Sequence, residues 1–376
     1  MDLLVWLSKS MASNKYLRIC ASCGGALKKN GKTTAGTIRF RCKECGASTT
    51  NRRPSRRQAW WAQSWIAWLL CRTSIEQLHV SMRSFQRHTT RFWDTSPAPV
   101  FDGVVRDVLV IDATRIGAAM CHIVAQPPNT RANQHCHRRA NVVAWGWAKT
   151  ESAASWGALM ARIPPPRVLV TDAQRGILKA AAQWWPETTI QICTVHAARN
   201  LHAKTGKHPD LFALRTARDL ATMIPRIHDP RVAAGWIMLV NELNSCLTNF
   251  LNERTFHAKP GYKRSWHYTH RKSRSAWRTL ARHAHTRDIF TWLDPHLQAA
   301  CDRPIPATTN DVEGGINAPL KDLIRRHRGL SHARQRVLAD WYLASRSDTP
   351  PQPKQFLLNP QTHQPRHAHT DTLFGV

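Results

Sequence analysis

Five short apolar runs between residues 107 and 193 constrain the fold of this chain more than any other feature. They cover residues 107–112, 119–125, 141–148, 167–171 and 189–193. The first three follow one another as strands, whereas helical patterns at about 152–162 and 174–185 separate the later runs. Three strands followed by strand and helix in alternation predict an α/β core in which helices pack on a sheet.

This order of elements is that of an RNase H-like core. We expect the core to cover residues 104–200 and to be completed by residues 306–330. Residues 201–305 have helical periodicity and predict a large helical insertion between these two parts. A zinc ribbon at 15–50 and a helix-turn-helix region at 55–95 are expected to precede the core. The proline- and histidine-containing segment 346–376 is expected to form a mobile tail.

Three acidic residues occupy positions where an acid needs an explanation. Asp112 closes the apolar run that begins at Val108, and Asp172 nearly closes the run that begins at Val168. Glu313 stands at the start of a predicted helix over about 311–326. The chain has only 24 Asp and Glu against 54 Lys and Arg. A carboxylate at the rim of a core must be paired or bind a cation.

Phosphodiester chemistry accounts for such a group of acids. In an RNase H-like core the ends of the first and fourth strands lie side by side, and a helix packed on the sheet brings a third acid to them. Carboxylates in this arrangement hold two Mg²⁺ or Mn²⁺ ions, which activate a nucleophilic oxygen and stabilise a leaving oxygen. We therefore predict that Asp112, Asp172 and Glu313 are the catalytic metal ligands.

Each acid also has a structural interpretation. Asp112 and Asp172 are compatible with ordinary strand-end or helix N-cap residues, and Asn310-x-x-Glu313 fits a capping box. The three acids together, in this order and on a basic chain, favour the metal site.

Two cysteine pairs predict a structural zinc site near the amino terminus. Cys20 and Cys23 are separated by 18 residues from Cys42 and Cys45. Four thiolates on two tight turns form a tetrahedral Zn²⁺ site, which replaces the hydrophobic core that residues 15–50 lack. Such a closed site has no open position for catalysis. Four unrelated thiols are the alternative.

The charge of the chain indicates a polyanionic partner. Its net charge is +30 and its pI is about 10.8, which favours DNA or RNA over an ordinary basic surface. Segment 74–93 predicts a helix-turn-helix, with Ser74–Leu78 as the first helix and Ser81 as the N-cap of a second helix at 82–93. The cations of the second helix would enter a DNA groove, and Phe85, Phe92 and Trp93 would pack inward; a plain helical hairpin is the alternative. The predicted DNA-binding residues are Arg52, Arg53, Arg56, Arg57, Arg83, Arg87, Lys263, Arg264, Arg271, Lys272, Arg325, Arg326 and Arg328.

The insertion combines cations with aromatic residues. Residues 254–287 contain ten Lys or Arg and no Asp or Glu. Among them stand Phe256, Tyr262, Trp266, Tyr268 and Trp277. Cations neutralise phosphates and aromatic rings stack on exposed bases, so this segment predicts DNA contact. The alternative is a solvated basic face whose tryptophans belong to the core.

Four sequence blocks resemble the DDE-type transposases of the Mutator-like group found in bacterial insertion sequences. They are Val110–Ile116, Asp172–Ile177 with Trp185-Pro186 after it, Gln191–His196 and Asn310–Asn317, and the resemblance covers roughly residues 15–330. The family commonly has glycine after the first two acids, where this chain has Ala113 and Ala173. Pro319 also interrupts the helix that follows Glu313.

The resemblance implies a metal-dependent transposase that binds the ends of its element and joins them to target DNA. It implies an RNase H-like fold, with Asp112, Asp172 and Glu313 as ligands and Cys193 and His196 in a supporting C-x₂-H motif. Action as a homo-oligomer on paired ends is a family expectation. A DNA-binding regulator descended from a transposase and a structure-specific nuclease are the alternatives.

Membrane attachment is not expected, because no stretch approaches the ~18 to 20 continuous apolar residues of a membrane span. Two close cysteine pairs and scattered single cysteines are typical of a reducing compartment rather than of a disulfide framework. We expect a cytoplasmic, nucleoid-associated protein.

Overall fold

The structure is a computed structural model that describes residue 20 and residues 25–50, 56–71, 73–129, 140–256 and 266–358. Within these ranges the chain is a mixed α/β protein with one five-stranded sheet and many helices. No helix in the described part is long and apolar enough to cross a membrane.

The amino-terminal module is a small antiparallel sheet. Strands β1 (Leu27–Lys32), β2 (Ile38–Cys42) and β3 (Ser48–Thr49) pair in that order. Its buried apolar cluster consists of Cys20, Leu27, Phe40 and Cys42. So small a cluster removes little apolar surface from water, as the composition of this segment predicts.

The next segment is helical, but it differs from the predicted helix-turn-helix. Helix α1 (Arg56–Leu70) and helix α2 (Met82–Thr89) are present, and Ser81 caps α2 by accepting a hydrogen bond from the backbone N–H of Ser84. The expected first helix near residue 75 is only a 3₁₀ turn, Glu76–Leu78. The predicted inward side chains of α2 and its extension, Phe85, Phe92 and Trp93, are buried.

The five predicted strands are present within a few residues of their expected positions. They are β4 (Val108–Ile116), β5 (Ala119–Gln126), β6 (Asn141–Ala148), β7 (Val168–Thr171) and β8 (Thr189–Ile192). Helices α3 (Ala153–Met160) and α4 (Arg175–Trp184) also match the prediction. The sheet order is β6-β5-β4-β7-β8, with β5 antiparallel to both neighbours and β4, β7 and β8 parallel.

Alternation along β4 sends its side chains into two different layers. Leu109 and Ile111 join the cluster under α3 and α4, which contains Trp156. Val108 and Val110 face the opposite layer, whose cluster also includes Trp65 of α1. The amino-terminal helices therefore share one hydrophobic core with this face of the sheet.

The insertion is a helical body with its own core. Its elements are α5 (Thr194–Thr205), α6 (Phe212–Met223), α7 (Pro230–Cys246), α8 (Thr248–Asn252), strands β9 (Arg254–Phe256) and β10 (Trp266–Tyr268), α9 (Arg271–Thr286) and α10 (Pro295–Ala300). Trp236 and Trp277 are buried at its centre. The buried Gln191 ties β8 to this body, since its Nε2 donates to the carbonyl of Ile289 at 3.1 Å. The sequence did not predict the β9–β10 hairpin.

The chain then returns to the sheet. Segment α11 (Asn310–Val312) leads into a π-helical turn, Glu313–Asn317, which continues as α12 (Ala318–Arg326). Helix α13 (His332–Ser345) was not predicted, and all of its last nine residues are buried. Part of the predicted mobile tail is ordered: α14 (Pro353–Leu358) buries Leu357, and the ring of Phe356 lies 5.2 Å from that of Trp341.

Candidate functional site

Asp112 lies on β4, and Asp172 directly follows the adjacent parallel strand β7 at the same level of the sheet. Val110 of β4 is paired with Val170 of β7. Each acid is two residues beyond its valine, which gives it the same side-chain direction and the same level along the sheet. Parallel neighbours are about 4.8 Å apart in the hydrogen-bonding direction, so the two carboxylates leave adjacent points of the backbone.

The position of Asp112 differs from the expected strand end. Strand β4 continues to Ile116, and its antiparallel partner β5 follows it over this whole length, pairing Asp112 with Ile123. Strand β7, however, ends at Thr171. Asp112 is therefore in the middle of a strand, but the edge of β4 that faces Asp172 has no further strand partner among the described residues at this level.

Glu313 reaches the same region from the returning helix. Its Oε1 lies 3.3 Å from Nε2 of His196, a residue of α5 that follows β8. One π-helical turn further, Nδ2 of Asn317 donates a 2.6 Å hydrogen bond to Oδ2 of Asp112. Single π-turns inside helices are frequent at functional sites, because they shift the side chains of one face relative to the regular helix. The turn brings Glu313 to His196 and Asn317 to Asp112 within one site.

Pro319 ends this irregular turn without breaking the helix. Proline cannot donate to the carbonyl four residues earlier, which here is Gly315. Nη2 of Arg346, at the end of α13, donates to that oxygen at 3.2 Å instead. Pro319 occupies the first turn of α12, where a missing N–H is tolerated. The irregularity that the sequence indicated is therefore present, and Arg346 compensates for it.

The structural interpretations of the acids have different outcomes. No capping box forms at Glu313: the N-cap of α11 is Thr309, and it makes no side-chain capping bond. Oδ1 of Asp172 does accept from the backbone N–H of Gln174 at 3.0 Å. Asp172 therefore stabilises the turn before α4 through one of its two oxygens.

Burial, and to a smaller extent the neighbouring acids, disfavours the charged forms of Asp112 and Asp172. Burial and then the negative charge of Glu313 raise the pKa of Asp112 to about 7, with a further contribution from Asp172. Burial also raises the pKa of Asp172, and Glu313 again adds to the increase. Crowded acids resist ionisation unless a cation lies among them.

Cys193 and His196 adjoin the acids. The backbone N–H of Cys193 donates to the carbonyl of Thr171 at 2.7 Å, which fixes the start of α5 against the end of β7. A hydrogen bond with the Cys193 sulfur raises the pKa of His196, although burial opposes it. Glu313 and Asp172 favour the charged imidazole as well. The C-x₂-H motif thus places a cation-forming side chain beside two of the three acids.

A fourth acid, Glu151, lies at this site and was not predicted. Its Oε2 accepts from Nε2 of Gln174 at 2.9 Å, and its Oε1 accepts from Nε1 of Trp156 at 3.2 Å. Burial raises the pKa of Glu151, and the charge of Asp172 contributes to the increase. Glu151 follows β6 in a polar loop, so nothing in its local sequence distinguished it from a solvated acid.

The donors at this site suit a hard divalent cation. Carboxylate and amide oxygens are the ligands that Mg²⁺ and Mn²⁺ take. Oδ1 of Asn317 is buried and has no hydrogen-bond partner among the described residues. Such an orphaned acceptor beside Asp112 is typical of a position that a cation or water completes. The ligand atoms of Asp112, Asp172 and Glu313 do not all lie within 4.8 Å of one another in this conformation.

The amino-terminal cysteines do form a compact group. Sγ atoms of Cys20, Cys42 and Cys45 all lie within 4.8 Å of one another, and those of Cys20 and Cys45 are 3.6 Å apart. Thiolates on a tetrahedral Zn²⁺, with bonds of about 2.3 Å, are separated by about 3.8 Å. The residues therefore fit a structural metal with three of the four predicted ligands. Cys23 lies outside the described residues.

The ribbon turns show why small residues follow the cysteines. Gly46 has φ of +73°, a conformation that favours glycine. A Cβ on Gly25 would lie 2.5 Å from Cγ of Glu44 and 3.1 Å from Sγ of Cys42. A larger residue at position 25 would have to displace the side chain of Glu44 and would press on the Cys42 sulfur.

The predicted DNA-binding cations that the structure describes are on the surface. The exposed ones are Arg83, Arg87, Arg271, Lys272, Arg325, Arg326 and Arg328. Arg56 and Arg57 begin α1, but their side chains are outside the description. Arg52, Arg53, Lys263 and Arg264 also lie outside the described residues, as does Tyr262.

The aromatic residues of the insertion fall into two groups. Trp277 belongs to the core: it is fully buried, and its Nε1 donates to the carbonyl of Ala213 at 2.8 Å. Phe256 is 72% exposed on the β9–β10 hairpin. Trp266 and Tyr268 are half-buried, and guanidinium groups cover their rings. The stacking interpretation therefore fails for Trp277 and remains for Phe256.

Comparison with known proteins gives one relationship. Residues 107–220 match the family model described as "Transposase, Mutator family". The matched segment begins just before β4 and ends within α6, so it includes Asp112, Asp172, Cys193 and His196 but stops before Glu313. No curated protein matches the chain.

Proposed function

Since residues 107–220 match the family model of Mutator transposases, we propose that the chain is a DDE transposase that binds the ends of an insertion sequence. It cleaves DNA and transfers strands with Asp112, Asp172 and Glu313 as the ligands of Mg²⁺ or Mn²⁺. The observation that carries this proposal is the convergence of Asp112, Asp172 and the Glu313–Asn317 turn from three distant parts of the sequence. Cys193 and His196 support the site.

The sheet supports an RNase H-like assignment of the catalytic core. Numbered within the five-stranded sheet, its order is 3-2-1-4-5, with strand 2 antiparallel to the rest. The first and fourth strands, β4 and β7, are neighbours, which was the basis for placing Asp112 beside Asp172.

The roles of the side chains follow from their contacts. When bound, two divalent ions supply activation of the attacking oxygen and charge stabilisation at the leaving oxygen. Asn317 holds the Asp112 carboxylate in one orientation. Nε2 of His196 lies 3.3 Å from Oε1 of Glu313, and the raised pKa of His196 favours the charged imidazole beside that acid. Glu151 orients the loop before α4 through Gln174. Water and a DNA 3′-hydroxyl are the nucleophiles, so no side chain forms a covalent intermediate.

The surface cations support DNA as the substrate. Arg271 and Lys272 stand exposed in the first turn of α9, where the helix dipole is already positive. Two cations there are unfavourable unless an anion binds, and backbone phosphates bind readily at helix N-termini. Arg325, Arg326 and Arg328 extend a second basic surface from the helix that follows Glu313. Cys20, Cys23, Cys42 and Cys45 hold a structural Zn²⁺ in the amino-terminal module.

The proposal is tested with full-length protein and duplexes that carry the DNA flanking its gene. With Mg²⁺ or Mn²⁺, the wild type is expected to cut at the ends and to join them to a labelled target. Asp112→Asn, Asp172→Asn and Glu313→Gln should each lower cleavage at least a hundredfold while binding changes less than threefold. Asp219→Asn is the matched control, because Asp219 is an exposed acid on α6 within the same family segment.

Each alternative has its own result. Cleavage without joining would indicate a structure-specific nuclease, whereas binding without cleavage would indicate a DNA-binding regulator. Wild-type activity in one of the three variants would remove that acid from the site.

A further inference from the structure

Helix α7 has a solvent-exposed face opposite the face that it buries in the insertion. Ala233, Trp236 and Val240 point into the core. Opposite that face, Met238 is 70% exposed. Val232 and Leu239, which are seven residues apart, are 51% and 40% exposed on a line that flanks Met238 between the two faces. An exposed methionine with an apolar flank indicates an interaction surface.

This face has the spacing of a helix-pairing seam. Arg231, Gly235, Met238 and Glu242 recur at intervals of four, three and four residues and are all exposed. Such a 4-3-4 spacing keeps side chains on one line of a helix that packs along another helix. A Cβ built on Gly235 meets no atom within 4 Å, so the space above this glycine is open.

The charge of α7 argues against DNA as its partner. The chain carries a net charge of +30, but the only charged residues of α7 are Arg231 and Glu242, which cancel. Neither of them forms an ion pair within the described part of the chain. They are 11 residues apart, or about 16 Å along the axis, so they cannot pair with each other inside one helix.

The same residues are complementary to themselves in the reverse direction. If two copies of α7 pack antiparallel about a point between Trp236 and Ile237, Arg231 of each faces Glu242 of the other. The same operation places Met238 over Gly235, where open space accepts the longer side chain. Two ion pairs and two Met–Gly contacts arise from a single two-fold axis, which is the requirement for an isologous dimer.

We infer that α7 is a homodimer interface, in which two copies of this chain pair antiparallel through Arg231, Gly235, Met238 and Glu242. This inference stands independently of the proposed transposase function, because it concerns the free protein without DNA or metal.

Sedimentation equilibrium of nucleic-acid-free, full-length protein tests the pairing at about 0.15 M salt, where screening leaves close ion pairs effective. The wild type is expected to show a monomer–dimer equilibrium. Met238→Glu places two carboxylates next to the axis and should raise the dimer Kd at least tenfold. Met223→Glu is the matched control, since Met223 is an exposed methionine at the end of α6; its Kd should stay within threefold of the wild type.

Charge reversal gives a sharper test. Arg231→Glu alone opposes Glu to Glu, and Glu242→Arg alone opposes Arg to Arg, so each should weaken the dimer about tenfold or more. The doubly reversed chain should regain wild-type affinity. An equimolar mixture of the two single variants should also dimerise, because opposite charges face each other at both pairs of positions only when one copy of each variant is present.

Several results would overturn the inference. A wild type that stays monomeric at every concentration would overturn it. That holds whether α7 is exposed in solution or covered by another part of the chain. A dimer that Met238→Glu leaves intact would place the interface elsewhere. Failure of the mixed variants to pair, with unchanged circular dichroism and thermal unfolding, would exclude the antiparallel register. Loss of DNA cleavage affects none of these measurements.

Discussion

Nδ2 of Asn317 lies 2.6 Å from Oδ2 of Asp112, which joins the returning helix to the first strand of the sheet. The bond uses the donor end of the amide and leaves its buried oxygen without a partner among the described residues. Asn317 therefore both orients Asp112 and offers one more oxygen to the site. Glu313, at the other end of the same π-turn, lies against His196 instead.

We expect Asn317→Leu to weaken metal binding and to slow DNA cleavage about tenfold or more. Leucine neither donates a hydrogen bond to Asp112 nor offers an oxygen to the site, so the Asp112 carboxylate loses its fixed orientation. The measurement is the Mg²⁺ concentration that gives half-maximal cleavage, which should rise and which a purely structural role would not move. Asn241→Leu, an exposed change on α7, is the matched control and should leave this concentration unchanged. An unaltered Mg²⁺ dependence in Asn317→Leu would contradict a role at Asp112.

Removal of one ribbon cysteine should unfold the amino-terminal module but not the sheet. The ribbon buries only a few apolar residues, so its folding depends on the metal. Cys42→Ser is expected to lower the zinc content by about one equivalent and to expose residues 25–50 to protease. Cys246→Ser, at an exposed cysteine of α7, is the control. Full zinc content in Cys42→Ser would exclude this residue as a ligand.

The two aromatic groups of the insertion should respond oppositely to substitution. Trp277→Ala should lower the free energy of unfolding by about 3–5 kcal/mol, because it removes a fully buried indole and its hydrogen bond to Ala213. Phe256→Ala should leave stability within about 0.5 kcal/mol but reduce affinity for DNA with unpaired bases about tenfold. Denaturant unfolding and fluorescence anisotropy measure the two effects. Equal affinity of Phe256→Ala and wild type would argue against base stacking by this hairpin.

Much of the central sheet could be predicted from the sequence because its signals are local. Continuous apolar runs such as Val108–Ile111 are typical of strands buried on both faces, and they marked β4 to β8 within a few residues. Asp112 was placed at a strand end because the apolar run stops there, although pairing with β5 continues the strand to Ile116. Hydrogen bonding to a neighbouring strand extends β4 beyond what its own side chains indicate.

The rest of the site depends on long-range contacts that no local pattern encodes. Asn317 acts through its hydrogen bond to Asp112, which is distant in the sequence. Glu151 lies in an irregular loop and acts through its hydrogen bonds with Gln174 and Trp156. Helix α13 was missed because its last nine residues are buried on every side, so no amphipathic period marks it. Its buried Asp340 is an unusual core residue, and it is satisfied by Trp145 and Trp147, each of which donates from Nε1 at 2.8 Å.

A buried histidine should make the stability of this protein depend on pH. His122 of β5 is fully buried beside Trp156, and its Nε2 lies 3.1 Å from Oγ of Ser155. Burial lowers the pKa of His122 to about 4, from an ordinary value of 6.5. Between these two pH values the unfolded chain binds a proton at this position and the folded chain does not.

The sign follows from this difference in bound protons. Stability from neutral His122 is fully present above pH 6.5 and is lost as the pH falls toward 4, by about 3 kcal/mol in total. Urea unfolding of the wild type and of His122→Gln from pH 4.5 to 7.5 isolates the effect, because all other titratable groups are the same in both proteins. The free energy of unfolding of the wild type minus that of the variant should increase with pH. A constant difference over this range would show that His122 titrates alike in the folded and unfolded chains, which would mean that its site opens to water.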